Sequence, residues 1–207
     1  MKKILSTVVL IFALGISNAY AKTTSEWKAL GIEALQEGGK IIFLRHAYAP
    51  RTEANGNNDK KIVVGDCSTQ RDILSEGIKQ SKEIGQWVRD NNIEIEKVFS
   101  STLCRNWKTA EFAGWTKYTK NKIFRNDLDT KVQAKRLEEI RKIVTDWNGK
   151  GNLVIITHFK IINPLFPGVK AGSGEMVITD GTLIGNELQY FKTVGRIKFA
   201  YDPLNKI

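Results

Sequence analysis

The sequence predicts an α/β domain organised on a parallel sheet, and three observations lead there. Two short unbroken apolar runs rich in β-branched residues, Ile41 to Leu44 and Leu153 to Ile156, read as strands buried on both faces. Segments with helical apolar spacing lie between and around them. Each run stops abruptly at a polar pair, Arg45-His46 and Thr157-His158, at the strand end where open α/β sheets bind ligands. With 207 residues the chain suits one domain with a sizeable core. It contains no internal repeat, low-complexity tract or sign of a second domain.

The amino terminus has a different character. Lys2 and Lys3 precede an apolar run from Ile4 to Ile16, and Ala19-Tyr20-Ala21 has the small-x-small form of a signal peptidase site. Residues 1–21 are therefore expected to be a signal peptide, leaving a domain of residues 22–207 that is periplasmic or secreted. A bare transmembrane anchor is the alternative, although the run is short for one. No Cys follows it, so a lipid-anchored form is not indicated.

In chain order, Trp27, Leu30, Ala34 and Leu35 give Ser25 to Glu37 a helical spacing, with Thr24 or Ser25 as N-cap and Gly38-Gly39 as the stop. The first strand follows at once, and Pro50 forbids a continuation of its pairing. From Ala47 to Ile73 no periodicity is sustained and Asn55-Gly56-Asn57-Asn58-Asp59 is turn material, so a long loop is expected. Ser75 is the expected N-cap of a helix reaching Asp90, with Ile78, Ile84, Trp87 and Val88 inside. Lys97 to Ser100 reads as the second strand, and Ser100, Ser101 and Thr102 offer caps for a helix with Arg105 in its first turn. Ile123-Phe124 is a candidate third strand. Thr130 to Trp147 is the strongest helix, with Leu137, Ile140, Val144 and Trp147 on one stripe and Gly149 closing it. After Leu153 to Ile156, Met176 to Thr179 and Leu188 to Val194 read as strands, with Asp180-Gly181 as a turn.

Charge and cysteines narrow the partners. Loss of residues 1–21 removes two lysines and no acid, so the net charge falls from +10 to +8. Outside the cytoplasmic membrane the polyanions that meet such a surface are phosphorylated glycans, anionic lipid headgroups and soluble phosphoesters, not nucleic acid. Peripheral contact with an anionic envelope surface fits the same charge. The basic residues are scattered, so an ordinary solvated surface explains them as well as a dedicated polyanion site does. Cys67 and Cys104 are the only cysteines, and in an exported protein two suggest one disulfide, which would stabilise by roughly 4 kcal/mol through loop-closure entropy. Two free thiols are the alternative. A bridge would tie the long loop to the segment that carries Arg105.

His46 and His158 are the only histidines, and each follows a buried strand. Parallel strands bring their carboxyl ends to one edge, so the imidazoles can meet across about 110 residues of sequence. Two unrelated histidines near strand ends are the plainer explanation. A zinc site is a weaker rival, because two His without further ligands fall short of a set and the Arg45 cation would repel a metal. The same cation suits a phosphoryl group. Arg45 and Arg105 offer forked donors to phosphate oxygens, and the first-turn amides of the helix after Thr102 could point at the same anion. A neutral imidazole among them can attack phosphorus and form a phosphohistidine that water later opens, and nearby arginines keep that imidazole unprotonated.

Leu44-Arg45-His46-Ala47 resembles the Arg-His-Gly motif of the histidine phosphatase superfamily. Ser100-Ser101-Thr102-Leu103-Cys104-Arg105 through Thr109-Ala110 is similar to that family's Ser-Ser-Pro-x-x-Arg-x-x-x-Thr-Ala segment. Leu74-Ser75-Glu76-Gly77 resembles its Leu-Thr/Ser-x-x-Gly helix start, one residue shorter, and Val154 to His158 resembles the strand before its second histidine. The resemblance spans nearly all of Lys40 to Met176. It implies a three-layer α/β/α sandwich with a mostly parallel central sheet, the phosphoglycerate mutase-like fold. It also implies His46 as nucleophile, Arg45, Arg105 and His158 as phosphate ligands, and no metal or organic cofactor. Three positions depart from the pattern: Ala47 and Phe159 replace glycines, and Thr102 replaces a proline. Asp66 to Arg71 together with Cys104 resembles an exported bacterial subgroup that includes lipopolysaccharide-core heptose phosphatases.

Departure of an alkoxide needs a proton donor, in this family a carboxylic acid of raised pKa. Glu175 is the first candidate, because Gly174-Glu175-Met176-Val177 resembles the exported subgroup; Asp127 and Asp129 are the others, and each could equally be a solvated or capping carboxylate. Arg51 and Lys160 could grip a second anionic group, although surface charge explains both. The expected activity is hydrolysis of a phosphorylated small molecule or glycan; the alternative is a noncatalytic module that binds phosphorylated glycans or other anions in the same pocket.

Overall fold

The computed structural model describes residues 22–51, 59, 62–126, 129–185 and 189–199. The expected signal peptide and the candidate acid Asp127 lie outside these residues. Helices α1 (Thr24–Glu37), α2 (Ser75–Asp90), α3 (Cys104–Phe112), α4 (Thr130–Thr145) and α5 (Phe159–Leu165) pack on a six-stranded sheet. Its strands are β1 (Ile41–Arg45), β2 (Ile95–Ser100), β3 (Thr119–Lys120), β4 (Asn152–Thr157), β5 (Met176–Thr179) and β8 (Gly195–Ile197), in the order β3-β2-β4-β1-β5-β8. From β3 to β1 neighbours run parallel, β5 is antiparallel to β1, and β8 is antiparallel to β5. A separate two-stranded ribbon, β6 (Leu183–Ile184) and β7 (Tyr190–Phe191), packs on the core through Phe191.

Alternation along the central strands creates the three layers. Ile41, Phe43, Leu153, Ile155 and Val177 face α4 and α5 in one core, which also takes in Ile140, Val144, Ile161 and Phe166. Ile42, Leu44, Val154, Ile156 and Ile178 point the other way, into a core closed by Leu35, Ile84, Val88 and Ala110 of α1, α2 and α3. Full burial of each such side chain contributes about 1.5–3 kcal/mol, which explains why β1 and β4 read as unbroken apolar runs.

Some boundaries differ from expectation for local reasons. Thr23, not Thr24 or Ser25, caps α1, in a reciprocal capping box with Glu26. α2 has no side-chain cap, and Ser75 lies within its first turn, hydrogen-bonded to Glu76. Ile123-Phe124 is not a strand. Both side chains enter the same core, which alternation along a strand forbids, and they form a 3-10 turn over Lys122–Phe124 capped by Asn121. The short edge strand is Thr119–Lys120. The single strand expected over Leu188 to Val194 is replaced by β7 and β8 in separate sheets, and Leu188 itself lies outside the described residues. α4 stops two residues before Trp147. Helix α5 carries Pro164, which obscured it in the sequence; the missing N–H leaves the Lys160 carbonyl free to accept from Gln133 Nε2 at 2.8 Å.

α2 also fixes the segment after β1. A Cβ on Gly77 would lie 2.2 Å from the Tyr48 carbonyl oxygen, so only glycine permits that approach.

Candidate active site

The carboxyl ends of β1 and β4 lie side by side, with Arg45 opposite Thr157 in the ladder. His46 N–H donates to the Thr157 carbonyl at 3.1 Å, extending the pairing by one residue. Beyond it, Ala47 N–H donates to Thr109 Oγ1 of α3 at 3.0 Å and Tyr48 N–H to Gln80 Oε1 of α2 at 2.9 Å. The segment after β1, from His46 to Tyr48, is therefore held by both α2 and α3.

This arrangement brings the two imidazoles together, with ring centroids 5.3 Å apart and planes inclined at 65°. Both are almost fully buried. His46 Nδ1 lies 2.7 Å from the Ala47 carbonyl oxygen. A carbonyl only accepts, so Nδ1 carries the proton and Nε2 keeps its lone pair in the neutral ring. His158 Nε2 lies 3.1 Å from Ser101 Oγ. Burial first, and then the Arg105 cation, hold both imidazoles well below the ordinary histidine pKa; Arg45 and Arg71 act in the same direction.

Arg105 is only 1% exposed. Burial pushes its guanidinium down to about 10, so it stays charged at neutral pH. Its Nη1 meets Asp59 Oδ1 at 3.2 Å, and the other oxygen of Asp59 accepts from Arg71 Nε at 2.9 Å. Arg45 donates through Nη1 to the Ala171 carbonyl at 2.8 Å and lies 5.2 Å from the centre of the Phe159 ring. Phe159, the residue standing in place of a glycine, thus holds Arg45 by a cation–π contact and narrows the cleft. The Nε atoms of Arg45 and Arg105 are buried without a hydrogen-bond partner. Both arginines line a cleft of about 720 Å³, together with Arg51, Arg125, Asn126 and Lys160.

Cys67 and Cys104 are joined, which closes the alternative of two free thiols. The bridge and Gln70 fasten the Asp66–Arg71 segment to the start of α3: Gln70 Oε1 accepts from Cys104 N–H at 3.0 Å, while its Nε2 donates to the Val63 and Asp66 carbonyls. Arg71 Nη1 then donates to the Ala49 carbonyl at 3.0 Å. Bridge and amide together set Arg71 beside Arg105.

Arg45, His46, Arg105 and His158 line one cleft, and Arg51 and Lys160, for which an ordinary surface position is the plainer sequence reading, line it too. Glu175 does not line it. Its Oε1 accepts from Arg196 Nε at 2.9 Å and its Oε2 from Gly172 N–H at 2.8 Å, so the buried carboxylate is spent on a salt bridge and a turn. Asp129 caps α4 through the Lys131 and Val132 amides. The first turn of α3 offers less than expected, because the Cys104 amide is used by Gln70 and the Asn106 amide by the Leu103 carbonyl. Among the described residues the carboxylate that lines the cleft is Asp59. Asp59, Arg71, Arg125 and Asn126 were not singled out in the sequence. Asp59 sits in turn material, and Arg125 and Asn126 follow an apolar pair, Ile123-Phe124, whose composition suggests a strand. Only the resemblance around Asp66 to Arg71 signalled one of them.

No protein-family model matches the chain, and no curated protein matches it. Solved structures do. The structure of the protein histidine phosphatase SixA complexed with tungstate aligns over 76% of this chain and 96% of its own, at 14% identity and a TM-score of 0.51. TTHB049 from Thermus thermophilus aligns over 77% of this chain and 99% of its own, at 14% identity and a TM-score of 0.50. The likeness establishes the fold: a phosphoglycerate mutase-like α/β/α sandwich, with the candidate site at the carboxyl ends of its parallel strands.

Proposed function

We propose that the protein is a metal-independent phosphomonoesterase that works through a phosphohistidine on His46. The observation that carries this reading is the state of His46: a buried imidazole with its Nδ1 proton committed to the Ala47 carbonyl and three arginines around it. In the first step Nε2 forms a bond to phosphorus as the bond to the ester oxygen breaks, and the leaving oxygen takes a proton. In the second step water attacks the phosphorus, loses a proton, and frees His46 and inorganic phosphate. Arg45, Arg105, Arg71 and His158 stabilise the charge on the phosphoryl oxygens, and positioning with electrostatics is most of what such a transfer requires. The proton donor assigned here is Asp59. A dianionic phosphoryl group entering between Arg71 and Arg105 displaces its carboxylate and raises its pKa, turning a salt-bridge partner into an acid.

The charged residues and apolar run of the amino terminus, with Ala19-Tyr20-Ala21, support export; the segment around Cys67 and the basic cleft support a phosphorylated envelope sugar as substrate, as in the lipopolysaccharide-core heptose phosphatases. A binding module for phosphorylated glycans is the second reading, favoured by the engagement of Asp59 with two arginines and of Glu175 with Arg196.

The test compares the protein with His46→Ala on p-nitrophenyl phosphate and a panel of phosphosugars, with EDTA, from pH 4 to 9. Turnover that survives EDTA, disappears in the variant and leaves an acid-labile, base-stable phosphoryl label on the wild type supports the phosphatase. Binding of phosphate without turnover on any compound replaces it with the binding module.

A further inference from the structure

The cleft carries more positive charge than one phosphoryl group requires. The inner cations Arg45, Arg71 and Arg105 surround the histidines and already hold one carboxylate, Asp59. Three more, Arg51, Arg125 and Lys160, line the same cleft, and none has an ion-pair partner among the described residues. Cations gathered in a concave site repel one another, and an added anion relieves that cost. Two buried polar atoms there also lack partners: Arg125 Nε, a donor, and Asn126 Oδ1, an acceptor. A buried acceptor beside these cations suits a ligand that brings a hydroxyl together with its negative charge.

The outer set is also held in place. The Phe124 carbonyl, one residue before Arg125, accepts from Thr157 Oγ1 at 2.7 Å, and the Arg125 carbonyl accepts from Arg136 Nη1 at 3.2 Å. Lys160 lies in the first turn of α5, two residues after His158, so its position is tied to the reacting centre. These supports lower the ordering cost of gripping a second group.

Resting on the phosphatase reading, we propose that Arg51, Arg125, Asn126 and Lys160 form a subsite for a second anionic group on the leaving side of the substrate, which is a polyhydroxylated phosphoester carrying two anionic groups. The inner cations hold the phosphoryl group that is transferred, and the outer set holds the one that stays.

The test measures kcat/KM on fructose 6-phosphate, fructose 1,6-bisphosphate and 6-phosphogluconate, and the affinity of the same three compounds for His46→Ala protein. A charge-assisted contact changes affinity by roughly tenfold or more, so two or three of them predict a preference of about 100-fold for the doubly anionic compounds at low salt. Preference for both reports a general anion subsite, and preference for the bisphosphate alone restricts it to phosphate. Lys160→Gln, an exposed substitution, and Arg125→Gln reduce the ratio in steps, and Arg125→Lys restores part of it. Equal affinity and equal kcat/KM for all three compounds would overturn the subsite, as would variants that lower every compound by one common factor. Turnover of p-nitrophenyl phosphate without the preference removes the subsite and leaves the phosphatase. Tight, Arg125-dependent binding without turnover of any compound does the reverse.

Discussion

His46 is prepared by its neighbours rather than by its own chemistry. An exposed imidazole titrates near pH 6.5 and exchanges tautomers freely, whereas here one carbonyl fixes the proton on Nδ1, and burial with three guanidinium groups removes the charged form. The consequence for activity is an acid limb well below pH 6.5. Asp59 is the complementary residue, since it supplies the anion between Arg71 and Arg105 and would have to yield to a phosphoryl group. Asp59→Asn is expected to do two things. Hydrolysis of alkyl phosphates, whose leaving groups need a proton, falls by about 100-fold or more, the usual scale of general acid catalysis, while p-nitrophenyl phosphate falls far less. Inhibition by inorganic phosphate tightens, because the buried Arg105 and the partly buried Arg71 have lost their internal partner. Equal losses on both substrates with unchanged phosphate inhibition would remove Asp59 from the mechanism. Glu175 teaches the opposite lesson: a carboxylate in a promising Gly-Glu-Met-Val stretch is committed to Arg196 and Gly172, away from the cleft.

At the scale of elements, the cleft is assembled by fastening irregular chain to regular chain. α3 delivers Arg105 from its first turn, and its Thr109 accepts the Ala47 amide, so the same helix positions the cation and the loop that begins at His46. The Cys67–Cys104 bridge and Gln70 then hold the Arg71 segment on the start of that helix. The bridge closes a loop of 37 residues, and its loss is expected to cost about 4 kcal/mol of stability in the entropy model. Cys67→Ala/Cys104→Ala should therefore raise KM for phosphoesters and weaken phosphate inhibition under conditions where circular dichroism still reports a folded protein. A variant with lower stability but wild-type KM would show that Gln70 alone suffices to place Arg71.

For the molecule as a whole, the buried imidazoles make stability depend on pH in a predictable window. Both histidines have folded-state pKa values well below the ordinary 6.5, so the unfolded chain binds protons that the folded chain refuses. The folded state is favoured above pH 6.5 and loses stability as pH falls below it, by up to about 1.4 kcal/mol per pH unit for each imidazole. The upper part of this window, just below pH 6.5, lies above the ordinary carboxylate range. Urea midpoints measured at pH 7.5 and 5.5 should drop on acidification, and inorganic phosphate should offset part of the loss by binding the folded state. A flat midpoint across that range would show that the rings accept protons in place.

The α/β class, the two central strands and the meeting of His46 with His158 at one sheet edge are legible in the residues alone. β1 and β4 are legible because strands buried on both faces must be continuously apolar, and His46 and His158 are legible because parallel strands end at one edge. Tertiary structure decided the rest. Whether Ile123-Phe124 is a strand or a turn depends on which core receives the side chains, and whether Glu175 or Asp59 reaches the cleft depends on contacts with Arg196, Arg71 and Arg105 that lie 12 to 46 positions away in the chain. Periodicity reports a residue's relation to its own element, while the partner of a charged side chain is chosen by packing between elements, and no local pattern records that choice.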